Sequence, residues 1–245
     1  MGGDHAGSEE ESYIVLELEN SNTEGERMIR KPAFLFEGDN NPNDSIGLLP
    51  PVDVNLVTYA AGKVTPFAFG GCDEATLQFT GNDIAAKMLS GDFTVMAWQK
   101  LSDISADNRR TQIIIQSAAI GKRFAVQLTR TLVGAAYKFK FNIVAGTTLP
   151  IVSAIPASTN WTHVAVTRSG AWYFGYIDGV FIGAAAAGAM SIPSNTNEVI
   201  SARHDPGDFG GTNQMCGFTE ALTQKEIKYV VNEGSGLSFE QWALS

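Results

Sequence analysis

The chain has 245 residues, 44% of them hydrophobic and 18% charged, with a formal net charge of −9. That length and apolar content suffice for a full core in one domain, while the acidic balance excludes the clustered Lys and Arg that a nucleic-acid binder needs to neutralise phosphates. No window approaches the roughly 20 consecutive apolar residues of a membrane-spanning helix; the run Ala184-Ala185-Ala186-Ala187 is far too short.

Residues 1–12 are polar, with Asp4, Glu9, Glu10 and Glu11, and lack the basic start and apolar centre of a secretory signal. A segment of this composition is expected to order only against a partner or a neighbouring copy. Residues 13–19, Tyr13-Ile14-Val15-Leu16-Glu17-Leu18-Glu19, predict a strand that pairs with an edge of its own sheet or adds to a neighbour's. Residues 1–32 therefore read as an acidic arm with an extra strand.

The segments Phe93-Thr94-Val95-Met96-Ala97-Trp98 and Trp161-Thr162-His163-Val164-Ala165-Val166-Thr167-Arg168 alternate with period two, giving each strand one apolar and one wet face, with Trp98 and Trp161 in the core. Between the apolar runs 172–177 and 180–182, Asp178-Gly179 supplies the positive φ angles of a two-residue hairpin turn. Thr223-Gln224-Lys225-Glu226 is a capping box and predicts one short helix ending near residues 232–234, with Gly234 at the left-handed cap. Residues 236–245 carry Phe239, Trp242 and Leu244, which dock on their own domain or on a neighbour.

The two tryptophan strands, the Tyr176-Ile177-Asp178-Gly179-Val180 hairpin, the opening strand Phe34-Leu35-Phe36-Glu37-Gly38 with Asn43-Asp44-Ser45-Ile46-Gly47, the second strand Ala75-Thr76-Leu77-Gln78-Phe79, and the closing Ile200-Ser201-Ala202-Arg203, Phe209-Gly210-Gly211 and Ala221-Leu222-Thr223-Gln224-Lys225-Glu226-Ile227 resemble the laminin-G-like branch of the concanavalin A-like lectin/glucanase superfamily. The resemblance spans residues 33–235. It implies an all-β fold, an antiparallel β-sandwich jelly roll with one short C-terminal helix. In that fold the first and last strands are often neighbours, so Cys72 and Cys216 can meet, but two free thiols are favoured in a protein made in a reducing cytosol. A shared scaffold does not bring a shared activity.

Catalysis finds no support in the residues. Glucanase relatives carry an E-x-D-x-x-E strand that sets paired carboxyls across the scissile bond, and this chain has none. Glu17 and Glu19 alternate but precede the family region; Glu226 is committed to the helix cap; His163 reads as a hydrogen-bonded structural side chain, and neither His5 nor His204 stands near a nucleophile elbow. The chain is expected to be no enzyme.

Relatives often hold calcium at the sandwich rim, which implies Asp205 and Asp208 as the ligands to test, with 103–108 offering more; neither segment is a complete set of six to eight oxygens. A glycan site needs a flat aromatic platform beside hydrogen-bonding groups. Trp172, Tyr173, Tyr176, Phe209 and Asn213 are the residues for it, with one of the adjacent Trp172 and Tyr173 facing out; Tyr13 and Trp242 are partner contacts. Lacking a signal and a catalytic pair, the chain reads first as a non-enzymatic virion structural protein of a bacteriophage, decorating the capsid or sitting on the tail through contacts with other virion proteins or copies of itself. The alternative is an extracellular or cell-surface carbohydrate-binding or adhesion module.

Overall fold

The computed structural model describes residues 13–16, 27–30, 32–37, 51–55, 58–64, 67–70, 76–80, 83–102, 111–117, 120–133, 136–188, 190, 199–204, 210–231 and 236. Its elements are β1 (Tyr13–Leu16), β2 (Arg27–Arg30), β3 (Phe34–Phe36), β4 (Pro51–Asn55), β5 (Thr58–Ala61), β6 (Phe67–Gly70), β7 (Thr76–Thr80), α1 (Ile84–Ser90), β8 (Phe93–Lys100), β9 (Thr111–Ser117), β10 (Lys122–Val133), β11 (Ala136–Ala145), β12 (Thr147–Pro156), β13 (Thr162–Ser169), β14 (Trp172–Ile177), β15 (Val180–Ala186), β16 (Val199–His204), β17 (Gly211–Phe218) and α2 (Gln224–Val231). A seven-stranded sheet runs β12-β11-β10-β9-β16-β7-β4, and an eight-stranded sheet runs β15-β14-β13-β8-β17-β6-β5 with β3 paired to β17. All described strand pairs are antiparallel, as a jelly-roll sandwich requires.

Alternation along the strands assigns the faces. Val95, Ala97, Val164, Val166, Tyr173 and Ile177 of the eight-stranded sheet meet Ile113, Ile115, Phe124, Phe141 and Ile200 of the seven-stranded one in the main core. Phe93 packs edge-on against Phe124, ring centroids 4.8 Å apart. Gly217 sits where the opening strand comes closest, and a Cβ there would overlap the Phe34 ring and press on Met88. Gly217→Ala is therefore expected to cost about 1–3 kcal/mol by overpacking, read as a lowered urea midpoint at unchanged slope.

Alternation predicts one wet face for β8 and β13, and in both strands the two faces are buried. Met96, Trp98, Ala165, Tyr176, Cys216 and Phe218 lie on the outer side of the eight-stranded sheet in a second apolar cluster with Ile227, Val230 and Val231 of α2. The i, i+3, i+4 spacing of those three residues gives α2 the one apolar stripe that covers this face. Its start is the predicted capping box: Thr223 N–H donates to Glu226 Oε2 at 2.6 Å, and Glu226 N–H donates to Thr223 Oγ1 at 3.3 Å. Gly236 N–H donates to the Val231 carbonyl at 2.8 Å, with Gly236 at φ +76°. Gly234 lies outside the described residues.

Three further differences from expectation have physical causes. Helix α1 was not foreseen; its Ala85, Met88 and Leu89 form a seven-residue apolar stripe too short to register as helical periodicity. Strand β1 joins neither large sheet, pairing instead with β2 in a separate two-stranded sheet, Tyr13 opposite Arg30. Trp161 precedes β13 and is half-buried at the border of the second cluster, so it is no core residue. Cys216 is a buried free thiol, its pKa pushed up by burial, and Cys72 lies outside the described residues. The opening strand does neighbour the last one, Leu35 standing opposite Cys216.

An exposed aromatic ridge as candidate functional site

The ridge grows from the hairpin of β14 and β15. Asp178 and Gly179 both take left-handed backbone angles, φ 48° and 72°, so the chain reverses in two residues and places Tyr176 opposite Phe181. Asp178 Oδ1 fixes the turn to β13 by accepting the His163 N–H at 2.8 Å. Trp172, Phe174 and Tyr176 then share the outer side of β14. Tyr173, Gly175 and Ile177 share the inner one, where Gly175 leaves room for the Phe141 ring.

The adjacent Trp172 and Tyr173 are thereby told apart. Trp172 is 51% exposed and Tyr173 is fully buried in the main core, so Tyr173 leaves the set of surface contacts. Phe181 is 45% exposed, its ring 6.3 Å from that of Phe174 and 5.9 Å from that of Tyr176. The ridge Trp172-Phe174-Phe181 stands on Tyr176, along the edge of the sheet and beside the face α2 covers. Exposed Ser169 lies opposite Trp172 in the register and adds a hydroxyl at the ridge end. The neighbouring turn is tied down by Gly170 N–H donating to Asp92 Oδ1 at 2.8 Å and by Arg168 donating to the Gly91 carbonyl at 2.8 Å. Flat rings on a braced edge, with hydroxyl groups beside them, can stack on the apolar face of a sugar.

Asn213 is also removed from the surface. Its side chain is buried, and Oδ1 accepts the N–H groups of Lys63 at 3.1 Å and Val64 at 2.9 Å, pinning the segment after β5 to β17 at the irregular step where Gln214 takes φ 48°. Phe209, Asp205, Asp208 and Trp242 lie outside the described residues, and of Tyr13 only the backbone pairing is described. Among the described residues no three His, Cys, Asp or Glu side chains gather as metal ligands would. His163 is buried, its ring edge-on to Trp98 at 5.2 Å, and burial lowers its pKa to about 3; the Nδ1 finds no hydrogen-bond partner, so packing rather than the expected hydrogen bond holds the ring. Sequence reasoning missed Phe174 and Phe181. The register of the Asp178-Gly179 turn was the signal, since it sets 181 against 176.

The family model described as concanavalin A-like lectin/glucanases superfamily matches residues 73–228. The chain belongs to that superfamily. No curated protein sequence matches this superfamily member, and its solved structural relatives are distant. The binding domain of Paraclostridial Mosquitocidal Protein 1 aligns with TM-score 0.61 at 13% identity, over 83% of this chain and 52% of that one. A botulinum neurotoxin type C structure, described as dependent for cell entry on two ganglioside molecules, aligns with TM-score 0.54 at 16% identity over 77% and 47%. Domain 4 of AbnA, an extracellular arabinanase from Geobacillus stearothermophilus, solved with arabinotriose, aligns with TM-score 0.60 at 16% identity over 81% and 97%. The chain thus spans about half of the toxin chains and nearly all of the arabinanase domain. At these identities the likeness concerns the fold, which these relatives use in binding domains.

Proposed function

We propose that the protein is a non-catalytic carbohydrate-binding module that meets glycans exposed outside the cell or on its surface, through the Trp172-Phe174-Phe181 ridge. The observation that carries this reading is the half-exposed Trp172 indole, presented on a strand whose turn and neighbours hold it in place. A soluble domain gains nothing in folding from leaving Trp172 and Phe181 in water, and contiguous exposed apolar surface of this kind marks a contact site. The relatives described with a ligand, arabinotriose in one and gangliosides in another, favour this reading over a virion scaffold.

Stacking of one sugar ring on one indole is worth on the order of 1.4 kcal/mol, or about tenfold in affinity. Trp172→Ala and Phe181→Ala are therefore each expected to weaken binding about tenfold in calorimetric titrations with the oligosaccharides that a glycan array selects, without changing the thermal midpoint by more than a few degrees. The reading is overturned if no glycan on the array binds saturably, or if binding survives both substitutions unchanged.

A further inference from the structure

The charges of this chain are segregated along the sequence. Residues 1–26 contain eight acids, Asp4, Glu9, Glu10, Glu11, Glu17, Glu19, Glu24 and Glu26, and no Lys or Arg. Residues 108–177 contain no acid and eight of the 17 Lys and Arg residues. At the average density of the chain, a stretch of 70 residues would hold about seven acids, so the acid-free stretch is a pattern and not a fluctuation of composition.

Folding divides the second segment between the two sheets, with β13 and β14 in the eight-stranded one and its first four strands side by side in the other. Those four are β9, β10, β11 and β12, consecutive strands of the seven-stranded sheet, and the one acid in any strand of that sheet is Asp53, on the opposite edge strand β4. Since Phe124, Val126, Phe139, Phe141 and Ile143 face the core, alternation puts Arg123, Lys138, Lys140 and Asn142 on the outer face. Lys138 and Lys140 are partly exposed on one side of β11, and Lys138 Nζ donates to the Ala154 carbonyl at 2.9 Å. Beside them Asn142 Oδ1 and Arg123 Nε are buried without a hydrogen-bond partner. No described helix covers this face as α2 covers the outer side of the other sheet.

We propose that the β10–β11 part of this face receives the acidic segment 1–26 of a second copy of the chain. Charge complementarity selects the occupant, a segment with eight acids against strands that carry bases only. Docking within one chain would leave the mass at the monomer value, so the mass separates a second copy from the same one. The contact between copies is heterologous, arm of one copy to face of the next, so it continues into chains or closes into rings unless one surface is blocked.

Sedimentation velocity of the full chain tests this without reference to any glycan. In 10 mM salt, where screening reaches only beyond about 30 Å, the average mass should rise with protein concentration; in 1 M NaCl, with a screening length of about 3 Å, it should return to that of the 26.2 kDa monomer. A face variant, Lys138→Glu with Lys140→Glu, and an arm variant, Asp4→Asn combined with Glu9→Gln, Glu10→Gln, Glu11→Gln, Glu17→Gln, Glu19→Gln, Glu24→Gln and Glu26→Gln, should each remain monomeric in low salt. Mixed in equal amounts they should form a dimer and nothing larger, because one intact arm then meets one intact face. That restored dimer also shows that both variants are folded. A wild-type chain that stays monomeric in low salt, self-association that persists in either variant, or a mixture that does not dimerise each overturns the proposal.

Discussion

Replacing Trp98 by alanine is expected to cost about 3–5 kcal/mol, the range for deleting a large buried aromatic, and to lower the urea midpoint in proportion. The side chain is 1% exposed at the centre of the second cluster, beneath α2, with the His163 ring edge-on at 5.2 Å and Lys63 Nζ 5.1 Å above its own ring. Gly236 closes the site. A Cβ there would stand 3.0 Å from Trp98 Nε1, so Gly236 packs directly on the indole that alanine would remove. Trp161→Ala is expected to cost only about 1 kcal/mol, because that indole is half-buried at the rim of the same cluster. Trp98→Phe separates packing from polarity: Nε1 finds no partner in the fold, so its removal offsets part of the lost volume. Equal losses for Trp98→Ala and Trp161→Ala would show that burial does not distinguish the two positions.

The same pair of tryptophans shows where the sequence is legible and where it is not. Period-two alternation in 93–98 and 161–168 predicts strands, and Asp178-Gly179 predicts the hairpin together with its register; these signals are local, and β8, β13, β14 and β15 follow them. What alternation leaves open is what covers the second face of a strand. Both faces of β8 and β13 are buried, and α2, more than 50 positions away in sequence, covers the one that carries Met96 and Ala165. Capping chemistry made α2 itself visible, since Thr223 and Glu226 announce a helix start without reference to packing. Helix α1 has no such cap, its first residue being preceded by Asp83 at φ 66° with no side-chain hydrogen bond, and it passed unseen. The candidate site was half legible for the same reason. Trp172 and Tyr173 were both chosen as aromatic and near a turn, but only strand parity relative to the core decides which of two neighbours is wet. Asn213 carried the amide a sugar site needs, and a long-range backbone contact to the segment of Lys63 and Val64 consumes it.

Acidification is expected to destabilise the fold through His163. Burial holds its folded pKa at about 3, against 6.5 for an unperturbed histidine, so the native imidazole is neutral while the unfolded chain takes up the proton first. A base with a depressed folded pKa contributes its full stability above the unfolded value, near pH 6.5, and loses it as the pH falls toward 3. The loss approaches about 1.4 kcal/mol per pH unit, which amounts to about 2 kcal/mol between pH 6.5 and 4.5. The geometry agrees with a neutral ring: it lies against Trp98 with Nδ1 buried and unpaired, and among the described residues no carboxylate hydrogen-bonds to the ring, Asp178 binding the His163 backbone N–H instead. Carboxylates elsewhere add their own acid sensitivity, so the test compares two pH profiles of unfolding free energy. His163→Phe keeps an aromatic ring opposite Trp98 and removes the titrating group, and its profile should be flatter than the wild-type one by about 2 kcal/mol over that range. In the native protein the His163 ring resonance should hold its neutral chemical shift down to pH 4.5. A native midpoint near 6.5, or parallel profiles for the two proteins, would mean that the imidazole reaches water and that the cover formed by α2 and Gly236 does not exclude it.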